Sequence, residues 1–433
     1  MSARRKALEA LVEITDHGAY ANLKLKETLS GVSEQEARWV SAAVYTAIEH
    51  LAYIDHVLSG FVHQKPKPII RGILRLGVCQ LLYMNVPDSA VCDESVKLAR
   101  EVGKGALSGY VNGVLRNICR NKGSLPALPE NLTQRLSIES GYPEWIVEEY
   151  IGQYGEEFAR NLLFAQNLGL TLRAQPPFTP KELGDALCAR GVSFSRGTII
   201  NEAFKLEKGF DIASDALFLE GKVAVQSESA MLAAKACKVG PGMRVLDACA
   251  APGGKSAYLA ALMEDRGHLE AWEVHEHRKE LLDKTLGRLH VRCANTRVQD
   301  ACELREELVG SMDAVLVDAP CSGLGVSGKP DIRYARSPGD IQSLAALQKK
   351  ILDCCANYVA LGGALVYATC TVSKRENQDV VSDFLKRHAE FQLDPFTELL
   401  PDGMRYRAKD GMLHLFPHMD HTDGFFIARM VKR

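Results

Sequence analysis

The sequence predicts an α/β protein in which a doubly wound parallel sheet follows an all-helical segment and a small α+β module. Apolar residues recur at intervals of three and four over the first 122 residues, which is typical of helices that pack on one face. In the last 200 residues, short apolar strands alternate with helical stretches. That order favours a parallel, Rossmann-like sheet whose ligands bind at the carboxyl ends of the strands.

Residues 1–125 are predicted to form an all-helical domain. They contain 16 basic and 12 acidic residues, whereas the rest of the chain contains 36 basic and 42 acidic residues. Arg71 and Arg75 are four residues apart, as are Arg116 and Arg120, so each pair shares a helix face. One interpretation is a patch that contacts phosphates, and the alternative is an ordinary solvated face. The excess of basic residues favours a polyanionic partner.

A second segment, residues 130–230, mixes predicted helices and strands. Gly, Ser and Pro in residues 123–129 indicate a linker before it. We predict strands at Leu170–Ala174 and Lys222–Gln226. The segment carries no catalytic motif, and we expect a small α+β module that frames a cleft.

The composition predicts a cytoplasmic protein without a membrane span. No run of about eighteen apolar residues occurs in the sequence. The 12 cysteines are scattered and include no Cys-x-x-Cys pair, so we expect reduced thiols and no structural zinc. His414, His418 and His421 lie far from any cysteine pair, and we expect no metal site there. We expect a monomer with no obligate protein partner.

The third segment, residues 231–433, carries the predicted parallel sheet. An antiparallel hairpin within residues 411–431 is expected to close it. The five predicted parallel strands are Arg244–Asp247, Leu269–Glu273, Thr296–Gln299, Ala314–Asp318 and Ala364–Ala368.

A glycine turn follows the first of these strands. Gly253 and Gly254 let a ligand approach the backbone closely, and the next helix turns free N–H groups toward the same point. Such a site suits a carboxylate or a phosphate. The segment is neither a Walker loop nor Gly-x-Gly-x-x-Gly, which disfavours a nucleoside triphosphate or a dinucleotide.

Two acids follow the next strands. Glu273 ends the second strand, where an acceptor for ribose hydroxyls belongs. Asp300 follows the third strand and is placed to meet an adenine edge. Sites for a carboxylate, a ribose and a base in that order describe S-adenosylmethionine.

Two cysteines lie at the ends of the fourth and fifth strands. Asp318 and Cys321 end the fourth strand, and Cys370 ends the fifth, 49 residues after Cys321. In a doubly wound sheet the two thiols can face one cleft. Ser373–Glu376 matches a capping box, which predicts a helix just beyond Cys370 whose N-terminus favours the thiolate.

A thiol beside a methyl-donor site indicates methylation of carbon. A pyrimidine ring carbon does not attack a sulfonium unaided, but a thiolate that adds to carbon 6 makes carbon 5 nucleophilic. Asp318 could stabilise charge at ring nitrogen 3, if its pKa is raised or if it shares a proton with the base. A second thiol could assist elimination after transfer.

These motifs resemble the RNA cytosine-5 methyltransferase family. The resemblance implies that Cys370 is the nucleophile and that Cys321 assists release. It implies that the cofactor site is lined by the turn Cys249, Ala250, Ala251, Pro252, Gly253, Gly254 and Lys255 with Glu273, Asp300 and Asp318. Glu273 stands where the family usually carries aspartate. The motifs that carry the resemblance are Asp247–Lys255, Asp318–Gly323, Lys329–Arg333, Tyr367–Thr371 with Glu376-Asn377, and Asp423–Phe426.

The first segment resembles the helical RNA-binding domain of the NusB family. Arg5–Leu11, Ile73–Gly77 and Val111–Asn117 carry this resemblance. Together the two resemblances imply 16S ribosomal RNA as the substrate. The alternatives are a cytosine-5 methyltransferase that acts on tRNA and a non-catalytic RNA-binding factor in ribosome assembly.

Overall fold

The computed structural model describes residues 1–165, 168–207, 210–326, 330–334 and 336–433, apart from the side chain of Ile332. Lys329, part of a family motif, lies outside the described residues. The chain forms two compact units. The first spans Met1–Phe164 and includes the short helix at Asp331–Tyr334, and the second contains the rest of the described chain. No helix within the described ranges is both long and apolar enough to cross a membrane.

The helices and strands together confirm the predicted α/β class. In chain order the helices are α1 (Ala3–His17), α2 (Ala21–Thr28), α3 (Glu34–Glu49), α4 (Leu51–Ser59), α5 (Pro68–Tyr83), α6 (Asp88–Glu101), α7 (Ser108–Arg120), α8 (Leu132–Ser140), α9 (Glu144–Tyr154), α10 (Glu156–Leu163), α11 (Pro180–Ala189), α12 (Ala216–Leu219), α13 (Glu228–Ala236), α14 (Gly254–Leu262), α15 (Glu276–Arg288), α16 (Asp331–Tyr334), α17 (Pro338–Ala356), α18 (Gln378–Arg387) and α19 (Pro417–Asp420).

The strands are confined to the second unit in the described chain. They are β1 (Leu170–Ala174), β2 (Phe194–Arg196), β3 (Ala203–Leu206), β4 (Val223–Val225), β5 (Arg244–Asp247), β6 (His268–Glu273), β7 (Ala294–Val298), β8 (Met312–Asp318), β9 (Val359–Thr369), β10 (Phe391–Leu393), β11 (Met412–Leu415) and β12 (Phe425–Lys432).

The first unit is a helical domain around one apolar core. Leu8, Leu11, Val44, Ile73 and Leu115 are buried in this core, because each helix directs its apolar stripe inward. Helix α1 begins at a capped end, since the Ser2 side chain accepts a hydrogen bond from the Arg5 N–H.

The predicted basic patch is only partly present on this unit. Arg116 and Arg120 are exposed on α7. Arg75, by contrast, is buried and donates two hydrogen bonds to Asp55, and Arg71 pairs with Asp16. The interpretation of Arg71 and Arg75 as phosphate contacts is therefore wrong, because Asp16 and Asp55 pair with their largely buried guanidinium groups.

The second unit contains a small antiparallel sheet with the strand order β2-β3-β1-β4. The predicted strands near Leu170 and Val223 are its neighbours β1 and β4, and Leu172 pairs with Val225. This unit also contains the main sheet, in the order β10-β12-β9-β8-β5-β6-β7, with β11 paired to β12.

The main sheet confirms the doubly wound prediction. Strands β9, β8, β5, β6 and β7 are parallel neighbours, and β12 runs antiparallel to β9 beside the predicted hairpin partner β11. Side chains alternate across β8: Ala314 and Leu316 pack on one face, and Val315 and Val317 on the other. Both faces are covered, which explains why this strand is apolar throughout.

The strand order reverses between β5 and β8. From β5 the chain proceeds to β6 and β7 on one side, and then returns to β8 and β9 on the other. In such sheets a crevice opens at the reversal, beyond the carboxyl ends of the strands. The loops after Asp247 and Asp318 flank this point.

The three segments of the sequence, 1–125, 130–230 and 231–433, remain our proposal for functional organisation. Helices α8, α9 and α10 group with the first unit, although the sequence places them in the middle segment.

Candidate active site

The two strand-end cysteines meet at the carboxyl edge of the main sheet. Their Sγ atoms lie 3.2 Å apart. Cys321 follows β8 and Cys370 follows β9, and these strands are parallel neighbours with Asp318 paired to Ala368. Adjacent parallel strands therefore bring together two residues that are 49 positions apart in the chain.

The two thiols differ in acidity. The hydrogen bond from Cys321 lowers the pKa of the Cys370 thiol, and the nearby Lys255 charge acts in the same direction against burial and acidic neighbours. The same hydrogen bond, together with burial, raises the pKa of Cys321 well above its usual value. Of the two thiols, Cys370 is therefore the more readily deprotonated, and the thiolate is the nucleophilic form of cysteine.

The capping box predicted at Ser373–Glu376 is wrong, because the Ser373 side chain makes no capping hydrogen bond. A short 3-10 turn covers Lys374–Glu376, and α18 begins only at Gln378. The Glu376 side chain accepts hydrogen bonds from Ser322 and Gln348 instead of closing a capping box. The Cys321 thiol, rather than a helix N-terminus, is the main cause of the lowered pKa of Cys370.

Lys255 connects the glycine turn to the cysteines. Its Nζ lies 2.7 Å from Oδ2 of Asp318. Burial lowers the pKa of Lys255, but the charge and hydrogen bond of Asp318 outweigh that effect, so the pKa is raised. A charged ammonium therefore lies close to the Asp318 carboxylate and acts on the Cys370 thiol.

The glycine turn fits the carboxylate end of an amino-acid-like cofactor. The backbone at Gly253 has φ +106°, a left-handed conformation that favours glycine. A Cβ at Gly254 would meet no atom within 4 Å among the described residues, so the space beside the N-terminus of α14 is open. The Ala250 and Gly253 N–H groups donate to the Trp272 and Ala250 carbonyls, so it is the N–H groups in the first turn of α14 that can donate to an anion. Cys249, Ala250, Ala251 and Pro252 lead into it.

The two predicted cofactor acids lie at adjacent strand ends. Glu273 is buried at the end of β6, where it accepts a hydrogen bond from the His275 N–H at 3.0 Å and pairs with Arg278 at 3.3 Å. Asp300 follows β7 and accepts from the Cys302 N–H at 2.8 Å. These contacts fix both carboxylates at the edge where hydroxyl and amino groups of a nucleoside would need acceptors.

We expect Asp247, at the end of β5, to make the stability of the second unit depend on pH. Burial raises its pKa to about 7, against the hydrogen bond from Ser256 at 2.6 Å. Between pH about 4 and 7 the folded chain retains a proton that an unfolded aspartate releases. The free energy of unfolding should therefore fall as pH rises through this window, by at most about 1.4 kcal/mol per pH unit.

Asp247→Asn should flatten this dependence. Thermal unfolding at pH 5, 6 and 7.5 measures the effect, and Asp313→Asn at the opposite edge of the sheet is the matched control. An Asp247→Asn variant whose melting temperature changes with pH as the wild type's does would contradict the assignment.

His414 lies on β11 and is partly buried. Its ring packs against Phe426 at a centroid distance of 4.6 Å, and burial lowers its pKa to about 3. Within the described residues, no group of three or more His, Cys, Asp or Glu side chains has a geometry suited to a metal ion.

The sequence did not predict the hydrogen bonds between the two loops that carry the cysteines. Glu376 is fully buried and contacts Ser322, the residue after Cys321. Ser322 in turn contacts Thr371, the residue after Cys370. The motif that contains Glu376 and Asn377 was a signal for these contacts, but the capping-box interpretation assigned the glutamate to a helix end.

Comparisons with known proteins place both units in characterised families. The sequence model of the family described as 16S rRNA methyltransferase RsmB/F matches residues 235–431, and that of the NusB family matches residues 1–120. The probable ribosomal RNA small subunit methyltransferase B of Bacillus subtilis is 37% identical over 445 residues, which cover 100% of this chain and 99% of the relative. The corresponding Synechocystis protein is 31% identical and is covered completely, as is this chain.

Two solved structures share the fold. The crystal structure of PH0851 has a TM-score of 0.83 and 25% identity, and the match covers 99% of each chain. The structure of NSun6 from Pyrococcus horikoshii with SFG has a TM-score of 0.60 at 19% identity and covers 68% of this chain and 99% of that one.

Proposed function

The chain belongs to the RsmB/F family of 16S rRNA methyltransferases, and on that premise we propose that it methylates carbon 5 of a cytosine in 16S ribosomal RNA. The methyl donor is S-adenosylmethionine. The observation that carries the proposal is the 3.2 Å contact between the sulfurs of Cys321 and Cys370. Oxygen and nitrogen acceptors have lone pairs and need at most a base, whereas a ring carbon needs a nucleophile to activate it.

In the proposed reaction Cys370 attacks carbon 6 of the cytosine. The new carbon–sulfur bond moves the ring electrons toward carbon 5 and nitrogen 3. Lys255 donates a hydrogen bond to Asp318 at 2.7 Å, and in the proposed step this pair stabilises the charge that develops at nitrogen 3. S-adenosylmethionine, when bound, supplies a methyl group with electrophilic character.

Cys321 is proposed to act in release. Once the Cys370 sulfur is bound to carbon, it is no longer a thiolate that accepts the Cys321 proton. Transfer of the carbon 5 proton to water then restores the ring double bond, and the bond between sulfur and carbon 6 breaks, with its electron pair leaving on the Cys370 sulfur. A second thiol 3.2 Å from the first is placed to assist this elimination.

We propose that the predicted cofactor residues contact three parts of S-adenosylmethionine: its carboxylate, its ribose and its adenine. The turn Cys249–Gly254 leads into α14, and backbone N–H groups in the first turn of that helix donate to the carboxylate. Glu273 accepts from ribose hydroxyls and Asp300 from the adenine. Lys255 and Asp318 form the boundary with the base that is methylated.

The helical unit is proposed to bind RNA phosphates through Arg116 and Arg120. Both are exposed and lie four residues apart on α7. Replacing both by serine should weaken RNA binding and reduce the slope of log affinity against log salt by about 1.5. Filter binding across a salt series measures this slope.

The control removes the same charge at a different surface. Arg244→Ser with Arg266→Ser removes two arginines near the amino ends of β5 and β6, and should leave the slope unchanged. An Arg116/Arg120 variant that binds RNA with wild-type affinity and slope would return these residues to an ordinary solvated face.

Bisulfite mapping tests the proposed substrate. Ribosomal RNA and tRNA that lack the modification are offered together with the enzyme and S-adenosylmethionine, and the methylated cytosines are mapped. We expect methylation in 16S ribosomal RNA. Methylation of tRNA alone would show that tRNA is the substrate. The absence of methylation in either RNA would favour a non-catalytic assembly factor.

A further inference from the structure

We propose that Glu376 is a positioning residue that holds the two cysteine loops in register, an inference that rests on the proposed function. Its carboxylate is fully buried between the loops that follow β8 and β9. It acts on the reaction through Cys321 and Cys370, and not through a contact with the base.

The carboxylate of Glu376 uses both oxygens as acceptors. Oε1 accepts from the Ser322 N–H at 2.8 Å and from Nε2 of Gln348 at 3.1 Å. Oε2 accepts from the Ser322 hydroxyl at 2.6 Å. Ser322 is therefore held at both its backbone and its side chain, and it is covalently joined to Cys321.

The same hydrogen bonds reach the loop of the second cysteine. The Ser322 hydroxyl has one proton, which it donates to Glu376. With Glu376 as a carboxylate, we therefore assign Thr371 as the donor in its 2.8 Å contact with Ser322. The chain of donors runs from Thr371 through Ser322 to Glu376, and so connects the residues that follow Cys370 and Cys321.

The backbone around Glu376 is fixed independently. The Tyr367 hydroxyl donates to the Glu376 carbonyl at 2.6 Å, and the Asn377 side chain donates to the Thr371 carbonyl at 3.0 Å. The Gly325 N–H also donates to the Cys370 carbonyl at 3.0 Å. Because these bonds do not use the carboxylate, loss of the Glu376 side chain should displace the cysteines without unfolding the unit.

The cost of this arrangement argues for a role in geometry. A buried carboxylate loses its hydration, and burial raises the pKa of Glu376 despite its hydrogen bonds to Ser322 and Gln348. An apolar side chain would avoid this cost but could not accept three donors. What the carboxylate provides is a fixed separation between two loops whose sulfurs must stay in contact.

Glu376→Ala should lower kcat by about 100-fold, since a displacement of about 1 Å at a reacting group costs that much. KM for RNA and the affinity for S-adenosylmethionine should remain within about threefold of the wild type, because the residue touches neither in this scheme. Steady-state kinetics and calorimetric titration with S-adenosylmethionine measure the three quantities.

Glu376→Gln should have a kcat at least tenfold higher than that of Glu376→Ala. The amide oxygen can keep both bonds made by Oε1, and the amide nitrogen can donate to Ser322, whose hydroxyl then donates to Thr371. Glu228→Ala is the matched control, since Glu228 is also a buried carboxylate, accepts from the N–H groups of Ile199 and Ile200, and lies outside the proposed site.

The outcomes separate this inference from the proposed function. A Glu376→Ala variant with a kcat no lower than that of Glu228→Ala overturns the positioning role. If Glu376→Ala does not fold, Ser322→Ala must lower kcat by at least about tenfold, and an undiminished kcat overturns the role. Activity of Cys370→Ala in the same assay would instead contradict the proposed function itself.

Discussion

Replacing Cys370 by alanine should abolish methyl transfer to RNA, with a loss in kcat on the order of 10⁴-fold or more. The substitution removes the thiolate whose pKa is lowered by Cys321 and Lys255. Without addition to carbon 6, carbon 5 of the base is not nucleophilic. Transfer of a radioactive methyl group from S-adenosylmethionine to RNA measures the loss.

Binding of the cofactor should survive the Cys370→Ala substitution. The glycine turn, Glu273 and Asp300 are not altered, so the affinity for S-adenosylmethionine should stay within about threefold. Cys237→Ala is a matched control, because Cys237 is a buried thiol of the same unit that bonds to the Ala233 carbonyl. Robust turnover by Cys370→Ala would contradict the proposal that Cys370 is the nucleophile.

The Cys321→Ala variant should accumulate a covalent adduct between protein and RNA. Two effects oppose each other in this variant. Loss of the Cys321 hydrogen bond should raise the pKa of Cys370 and slow the addition step. Loss of the second thiol should slow elimination more, because no other cysteine is in contact with Cys370 within the described residues.

A denaturing gel detects the adduct as an RNA-dependent band of lower mobility. We expect the band with Cys321→Ala and unmodified substrate, and its absence with the Cys321→Ala, Cys370→Ala double variant. Normal turnover by Cys321→Ala without any adduct would show that release does not need Cys321.

The sequence predicts the main sheet well because its signals are local. Apolar runs such as Val315–Val317 end at an acid, and the glycines after Asp247 mark a turn that few other residues can form. These features depend on neighbours in the chain. The pairing of Asp318 with Ala368 then follows from parallel-sheet geometry, which brings the predicted cysteines together.

The errors arise where distant residues compete for a side chain. Glu376 matches a local capping box, yet Ser322, 54 positions away, takes its carboxylate. Arg75 has the spacing of a surface pair, yet it is buried and paired with Asp55. A partner far along the chain overrides a local pattern in both cases, because an unsatisfied buried charge costs more than a lost cap or surface contact.

Trapping with 5-fluorocytidine tests the central claim most directly. RNA substrate that carries this base is incubated with the wild-type enzyme and S-adenosylmethionine, then digested and analysed by tandem mass spectrometry. Fluorine cannot leave carbon 5 as the proton does, so the reaction should stop at the adduct. We predict a methylated nucleotide on the peptide 351–374, bound at Cys370. A nucleotide bound at Cys321 instead, or methylation of RNA with no adduct at any cysteine, would contradict the account.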